Sequence, residues 1–171
     1  MCIFKCIFKW FFKDSEERAR LLMGYPGSGK GYHLWDEKNF VDLGLPSKTL
    51  WGIYNDPEMI PLTDAIRIGY GPFLPTKEQV QELISECLWI FDEKKNGFTV
   101  SGKNGNNIFL PLRDEVYGFY HTCSMIDDKH YWAFSIDEIH KGELFPSLIN
   151  SGAFVRLVKK QLSDAYDSLN D

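Results

Sequence analysis

The glycine-rich segment GYPGSGKG, residues 24–31, is the part of the chain whose spacing comes nearest to a catalytic motif. It matches the first half of a P-loop, in which main-chain amides surround nucleotide phosphates and a lysine, here Lys30, contacts the terminal phosphates. A P-loop continues with a Ser or Thr whose hydroxyl binds Mg²⁺, but this chain has Gly31 at that position. The segment also follows the helix-like stretch ERARLLM, whereas a P-loop follows a strand. We therefore interpret residues 24–31 as a flexible connector and keep nucleotide hydrolysis as the alternative.

The other patterns that could support catalysis or metal binding are weaker. The segment LWIFD, residues 88–92, imitates the acid-ending apolar run of a nucleotide site, but Leu88 extends the apolar stripe of the preceding helix. The histidines have no HxH or HExxH spacing and the cysteines have no CxxC pair; they are His33, His121, His130, His140, Cys2, Cys6, Cys87 and Cys123. We therefore predict no enzyme activity, metal or cofactor. The thiols are expected to be free, with a Cys87–Cys123 disulfide as the alternative.

Residues suited to binding concentrate in the second half of the chain, where aromatic and charged side chains alternate. The candidate partner-binding residues are Tyr117, Phe119, Tyr120, Asp127, Asp128, His130 and Trp132. Aromatic residues beside charges are typical of the energetically dominant positions of protein interfaces. The competing interpretation is that alternate aromatics in this region are core residues of half-buried strands. The pattern predicts a macromolecular partner, with protein as the first class and glycan as the second.

The N-terminal segment MCIFKCIFKWFFK carries an unusual aromatic pattern. Lysines recur every four residues, so a helix would place them on one polar stripe and the apolar side chains on the rest. Its candidate membrane or interface residues are Phe4, Phe8, Trp10, Phe11 and Phe12. The segment is too short to span a bilayer and lacks a signal-peptide cleavage site. We expect a helix that packs on its own domain or on a partner, with a membrane-surface helix and a strand as alternatives.

Composition sets the broad class of the protein. The chain has 171 residues, of which 44% are hydrophobic and 15% aromatic, which is enough for a packed core without disulfides or metal. The net charge of −5 argues against nucleic acid as the partner, because phosphate binding needs a dense positive face. We predict a helical appendage and connector at 1–31 and one domain at 32–171. Free thiols and no evident export signal predict a cytoplasmic protein, with membrane association as an alternative.

Local patterns predict one strong helix in the middle of the chain and a second at its end. Thr76 and Gln79 form a capping box, and an apolar stripe follows at Val80, Leu83, Ile84, Cys87 and Leu88. The C-terminal residues Lys159–Leu169 have the same periodicity.

Strand patterns outnumber helix patterns. The predicted strands lie on both sides of Pro46-Ser47 within residues 40–51 and at Gly97–Ser101, Ile108–Leu110, Val116–His121, His130–Ile136 and Ala153–Val158. Asn104-Gly105 is a strong turn signal between two of them. One helix followed by consecutive strands predicts an α+β fold with antiparallel sheet.

Four collinear segments resemble the Fib_succ_major (FISUMP) domain family. They are VDLGLPSKTLW (41–51), LPTKEQVQELI (74–84), GFTVSGKNGNNIFLP (97–111) and AFVRLVKK (153–160). The resemblance spans residues 40–160. It implies a C-type-lectin-like domain, in which a helix packs on twisted antiparallel strands and long loops lie on one side, and it implies a bacterial source.

The departures from the family pattern concern residues that could form a ligand site. Phe73 stands where the family has arginine, and His121 stands where it has tryptophan. The calcium-site signatures of animal lectins and the cysteines of formylglycine-generating enzymes have no counterpart here. The fold that the resemblance implies suits a loop-based binding module. Small size, net acidity and no evident export signal fit an immunity or inhibitor protein inside the cell, and the other version is a display or adhesion protein. The alternatives are a nucleotide-binding enzyme that uses residues 24–31 and a membrane-surface adaptor anchored by residues 1–13.

Overall fold

The computed structural model describes residues 37–56, 58–113, 116–139 and 141–160, and the fold is stated for these residues. They form an α+β domain with short strands and few helices. The strands are β1 (Phe40–Asp42), β2 (Thr49–Asn55), β3 (Ile60–Pro61), β4 (Leu88–Asp92), β5 (Gly97–Ser101), β6 (Asn107–Pro111), β7 (Tyr117–Tyr120), β8 (His130–Asp137), β9 (Glu143–Leu148), β10 (Gly152–Ala153) and β11 (Arg156–Lys160). The helices are α1 (Leu62–Arg67) and α2 (Lys77–Glu86), with 3₁₀ turns at Glu37–Asn39 and Gly71–Phe73.

The strands form four small sheets in which every strand pair is antiparallel. Their orders are β1-β2-β11, β3-β10, β4-β5-β6 and β7-β8-β9. A parallel bridge between Tyr120 and Phe154 connects the last of these sheets to the segment that leads into β11. Because most pairs join strands that are neighbours in sequence, short hairpin turns fix most of the topology. The predicted α+β class with antiparallel sheet is confirmed.

The central helix begins where the capping box predicts. The Thr76 hydroxyl accepts the Gln79 amide at 3.2 Å, and the Gln79 side chain accepts the Thr76 amide at 2.8 Å. Val80 and Leu83 are fully buried, so this face of α2 packs against the sheets. The helix ends at Glu86 because Cys87 adopts an extended conformation.

The assignment of Leu88 to the helical stripe is wrong. Leu88 begins β4 and is 62% exposed, whereas its neighbour Trp89 enters the core. Along β4 the side chains alternate sides, so every second residue faces inward. Leu88 stands eight residues after Val80, so its spacing fits a helical repeat. The helix ends at Glu86, however, and Leu88 is the first residue of the next strand.

The hairpin β5–β6 has the predicted turn. Gly105 adopts a φ of +86°, and its amide donates to the Gly102 carbonyl oxygen at 3.1 Å. Strand β11 continues through Lys160, so the predicted C-terminal helix does not begin at Lys159. The remainder of that helix, the N-terminal aromatic segment and the glycine-rich connector lie outside the described residues.

Buried side chains form two clusters on opposite faces of shared strands. The first core contains Trp51, Val80, Leu83, Trp89, Phe98, Val100, Ile108, Leu110, Phe134 and Ile136, among others. The second core contains Leu62, Ala65, Tyr70, Leu74, Tyr131, Ala133, Val155 and Leu157. Strand β8 contributes alternate residues to each cluster, which links the two cores through a single strand.

Candidate functional site

The segment that leads from β1 toward β2 is bound to the turn of the β5–β6 hairpin. The Asp42 carbonyl oxygen accepts the side-chain amides of Asn104 at 2.9 Å and Asn106 at 2.8 Å. A Cβ atom on Gly102 would overlap the Leu43 carbonyl group, so the two segments approach as closely as a glycine allows. These polar side chains therefore hold two segments of the scaffold together.

The β1–β2 turn is bound in the same way to helix α2. The Ser47 amide donates to a Glu82 carboxylate oxygen at 2.8 Å, and the Ser47 hydroxyl contacts the other carboxylate oxygen. The Gln79 side-chain amide donates to the Thr49 hydroxyl at 3.0 Å. Both contacts join segments that are more than twenty residues apart, so they fix the position of α2 on the sheet.

Arg156 connects three strands from inside the protein. Its side chain is 2% exposed, and its guanidinium donates to Asn55 Oδ1 at 2.7 Å, to the Gly52 carbonyl at 2.8 Å and to the Phe109 carbonyl at 2.7 Å. Burial lowers the pKa of Arg156 to about 10, and the nearby Tyr120 hydroxyl acts in the opposite direction. The Arg156 guanidinium therefore stays charged at neutral pH, and its hydrogen-bond acceptors are amide oxygens instead of a carboxylate.

A cleft of about 320 Å³ opens on the face of the β7-β8-β9 sheet that is turned away from the first core. Its lining comprises Met59, Arg113, Tyr117, Phe119, Tyr131, Ala133, Phe145, Ser147, Ser151, Gly152 and Ala153. Strands β7, β8 and β9 supply the aromatic wall, and β10 with the residue before it supplies the opposite wall. This size lies at the lower end of the range for ligand pockets.

The aromatic wall is a continuous row that begins with a cation. Arg113 and Tyr117 are bridge partners, so their side chains lie on the same face. The Tyr117 and Phe119 rings are 4.5 Å apart between centroids, and the Phe119 and Phe145 rings are 5.3 Å apart. Arg113 and three aromatic residues thus line one side of the cleft.

The inner end of the cleft is fixed by a chain of hydrogen bonds. His121 Nε2 lies 2.7 Å from the Ile60 carbonyl oxygen, which can only accept, so this nitrogen carries the proton. His121 Nδ1 therefore accepts from the Tyr131 hydroxyl at 2.8 Å. Ser147 lies close enough to Tyr131 to influence the pKa of its hydroxyl. The bonds of His121 to Ile60 and Tyr131 fix the orientation of the Tyr131 hydroxyl.

Burial sets the protonation states of this chain. It lowers the pKa of His121 to about 4, although the bond to Ile60 acts in the opposite direction. Burial also raises the pKa of Tyr131 to about 12, while the nearby Ser147 lowers it. Both groups are therefore neutral at pH 7, and neither supplies an ionised nucleophile or a base in the usual range.

The predicted partner-binding residues separate into four groups, of which three lie on strands β7 and β8. Tyr117 and Phe119 line the cleft. Tyr120 is 1% exposed and donates to the Pro111 carbonyl oxygen at 2.7 Å, so it is a core residue and not part of a surface. Trp132 and His130 lie on the opposite face of β8 from the cleft residue Tyr131, because side chains alternate along a strand.

The acidic residues of the predicted surface lie in the turn before β8. Asp127 and Asp128 are both exposed. The Asp127 carboxylate accepts the amides of Lys129 at 2.7 Å and His130 at 2.8 Å, and these bonds contribute to a pKa below its usual value. Asp127 therefore stabilises its own turn. Trp132 is covered on one side by Lys77, whose Nζ lies 4.4 Å from the ring centroid.

Most cleft residues are not among the predicted binding residues, and Arg113, Phe145 and Ser147 are examples. Arg113 follows the family-like segment at 97–111, and only the bridge to Tyr117 places it beside the rings. Phe145 and Ser147 belong to β9, which contains Pro146 and was not predicted as a strand. Proline is tolerated there because β9 is an edge strand of its sheet.

The described residues contain no group of histidine, cysteine, aspartate or glutamate side chains that could hold a metal ion. Cys87 and Cys123, the two cysteines in this part of the chain, are free thiols, so the alternative disulfide is not formed. No helix among the described residues is both long and apolar enough to cross a membrane. Comparisons with known protein families, with curated proteins and with solved structures gave no match.

Proposed function

We propose that this protein is a non-enzymatic binding module that recognises a protein partner through the aromatic cleft. The observation that carries the proposal is the row of Arg113, Tyr117, Phe119 and Phe145, which is accessible from solvent on one face of a sheet. Aromatic and arginine side chains are enriched at the centres of protein interfaces. Because strands hold the rings, little conformational entropy is lost when a partner binds.

The chemistry of the cleft supports binding over catalysis. The Tyr131 hydroxyl is bonded to His121, but His121 directs its proton to a main-chain carbonyl and accepts from Tyr131. A serine nucleophile would need a base that accepts its proton directly. Here the group next to Ser147 is Tyr131, which is itself a weak acid after burial.

We also propose that the domain belongs to the FISUMP family and has a C-type-lectin-like fold. The four segments that carry the resemblance contact one another in the structure: Asp42 binds Asn104, Ser47 binds Glu82, and Arg156 binds the Phe109 carbonyl. Such contacts explain why those residue types belong together, since each segment completes the hydrogen bonds of another. The cleft residues Tyr117 and Phe145 lie outside these segments. This division suits a fold that keeps its frame and varies its binding surface.

Of the roles that this proposal includes, we favour an inhibitor or immunity protein that acts in the cytoplasm. The net charge of −5 and the free thiols of Cys87 and Cys123 agree with that role. A display or adhesion protein would use the same cleft on a different partner. The two roles differ in where the partner resides.

The direct test is affinity purification from cells that carry the gene, with the full chain as bait. We expect a stoichiometric protein partner with the wild-type chain and its loss with Tyr117→Ser, which removes an exposed ring of the cleft. The matched control is Tyr54→Ser, which removes an exposed ring that does not line the cleft. Recovery of the same partner with both variants would exclude the cleft as the binding site, and the absence of any partner would overturn the proposed function.

A further inference from the structure

Strand β4 is an edge strand with two exposed apolar side chains. Among the described residues it pairs only with β5, in a register that runs through all five of its residues without a bulge. Leu88 is 62% exposed and Ile90 is 54% exposed, and both project from the same face because side chains alternate along a strand. The strand therefore offers main-chain donors and acceptors beside an apolar surface.

Strand β4 lacks the features by which natural edge strands resist pairing. Such features are a proline, a lysine, a bulge or a very short strand. Three other edge strands have them: β9 contains Pro146, β11 ends in Lys159 and Lys160, and β1 has three residues. In β4 the only charged residue is Asp92, at its end. An edge of this kind favours pairing with a further strand.

A second copy of β4 fits this edge because the strand is complementary to itself. Two identical strands can pair antiparallel about a two-fold axis, and the same surface then serves both copies. If Trp89 lies at the axis, Leu88 of each copy lies opposite Ile90 of the other on one face. With Ile90 at the axis, Leu88 would lie opposite Asp92, which would bring a carboxylate beside an apolar side chain. The register centred on Trp89 is therefore favoured.

The charges at the two ends of β4 also agree with an antiparallel pair. At one end Lys103 Nζ lies 2.6 Å from a Glu86 carboxylate oxygen, and at the other end Lys95 Nζ lies 3.7 Å from an Asp92 carboxylate oxygen. An antiparallel arrangement brings the Glu86 end of one copy to the Asp92 end of the other. Because each ion pair is neutral, no net charge of these pairs opposes the contact, and acids and bases can alternate across it.

We propose that this protein forms a two-fold dimer in which the β4 strands of two copies pair antiparallel with Trp89 at the axis. The pairing joins two three-stranded sheets into one sheet of six strands, with Leu88 and Ile90 of both copies at its centre. A five-residue strand is about 17 Å long, so the contact is small and the dimer dissociates on dilution. No residue of β4 lines the aromatic cleft, so this surface goes beyond the proposed function.

The first test is sedimentation equilibrium of the full chain over about a hundredfold range of concentration that reaches about 1 mM. We expect the wild-type chain to dimerise and Ile90→Lys to raise the dissociation constant at least about tenfold, because the pair would desolvate the ammonium group. The matched control is Leu148→Lys, which places the same charge at a 53% exposed leucine of the edge strand β9 and should leave the dimer unchanged. Circular dichroism verifies that each variant is folded.

Three results would overturn the inference. They are a wild-type chain that stays monomeric, a dimer that Ile90→Lys leaves intact, and a dimer that Leu148→Lys weakens as much as Ile90→Lys does.

Mixed variants test the register. Alone, Leu88→Glu and Ile90→Lys each place a charge opposite an apolar residue at two symmetric positions, and each should weaken the dimer. An equimolar mixture should recover dimerisation, because the register centred on Trp89 places the new carboxylate of one chain opposite the new ammonium group of the other. With Ile90 at the axis the new carboxylate would instead face Asp92. A mixture no more associated than its components would overturn the proposed register.

NMR gives a readout that depends on no substitution. When the ¹⁵N-labelled wild-type chain is diluted, the amide signals of β4 should shift and those of β9 should not. Shifts at β9 without shifts at β4 would overturn the assignment to β4. A partner protein that is lost with Ile90→Lys, while the wild-type chain stays monomeric, would assign β4 to a foreign strand and overturn the self-pairing. The proposed function is judged separately, because it requires a partner that depends on Tyr117.

Discussion

At the scale of single residues, Arg156 connects strands that are far apart in the sequence. It reaches oxygen atoms of Asn55, Gly52 and Phe109, which belong to β2 and β6. A buried cation normally needs a carboxylate, because burial removes its hydration. Here three oxygen acceptors share the charge, so the guanidinium works as a structural cross-link.

Replacement of Arg156 by Met should therefore be severely destabilising. The Gly52 carbonyl would stay buried without its donor, and the partly buried oxygens of Asn55 and Phe109 would also lose theirs, so we expect the free energy of unfolding to fall by about 3 kcal/mol or more. Urea denaturation followed by circular dichroism measures the change. Arg67→Ala is the control, since Arg67 forms an exposed pair with Asp64 and should cost less than about 1 kcal/mol. Similar losses for the two variants would refute the cross-link.

His121 makes the stability of the folded protein depend on pH, and its contribution to stability falls as the pH falls. Its pKa is lowered from 6.5 to about 4 in the folded chain, so between these values the unfolded chain binds more protons. Stability supplied by the neutral ring is complete above pH 6.5 and is lost as the pH falls toward 4, by about 3 kcal/mol at most.

We expect His121→Gln to remove this part of the pH dependence, because the amide can replace the ring hydrogen bonds without titrating. The measurement is urea denaturation of both proteins at a series of pH values between 7 and about 4.5, where the difference between them should shrink or reverse as the pH falls. Tyr131→Phe keeps the His121 ring and should therefore keep the slope of unfolding free energy against pH. A wild-type slope equal to that of His121→Gln would show that His121 does not contribute.

At the scale of elements, the β5–β6 hairpin depends on how closely Gly102 approaches β1. A methyl group there would overlap the Leu43 carbonyl, and backbone cannot move aside as a flexible side chain could. We expect Gly102→Ala to lower the free energy of unfolding by about 2 kcal/mol, measured by thermal or urea denaturation. Gly152→Ala is the matched control, because its nearest neighbour would be an ordinary contact at 3.8 Å. A neutral Gly102→Ala would mean that the hairpin turn is not held against Leu43.

Elements with strong local signals were predictable, and those defined by distant contacts were not. The capping box located α2, and Asn104-Gly105 located the β5–β6 turn, because each signal acts within a few residues. Strand β4 was missed since its Leu88 also fits a helical repeat. Strand β9 was missed because Pro146 opposes strand structure except at an edge, and a sequence does not reveal which strand is the edge.

The cleft was only half predictable for the same reason. Tyr117 and Phe119 belong to one strand, so their alternation is visible in the sequence. Arg113 and Phe145 join them only through pairing across strands. Tyr120 follows Phe119 directly, and the sequence does not indicate which of the two faces inward.

At the scale of the whole molecule, the two cores are parts of one structure because they share strands. In β8, Phe134 packs in the first core and Tyr131 in the second, and β11 likewise contributes Val158 to the first and Leu157 to the second. A strand cannot lose its place in one core and keep it in the other. The described domain should therefore unfold in one cooperative step, as most domains of this size do.

Two matched variants test this coupling, since each removes a fully buried leucine from a different core. Leu83→Ala affects the first core and Leu62→Ala the second, and each should cost about 2–5 kcal/mol. If the cores share strands, each variant shifts one single urea transition. The transitions followed by tryptophan fluorescence and by far-UV circular dichroism then have the same midpoint, and the slope of the unfolding free energy against urea concentration is unchanged. If the cores were independent, Leu62→Ala would unfold the second core early while the fluorescence of Trp51 and Trp89, which lie in the first core, kept its wild-type midpoint. Separate midpoints would thus contradict the assignment of β8 and β11 to both cores, and with it the rigid sheet that the cleft requires.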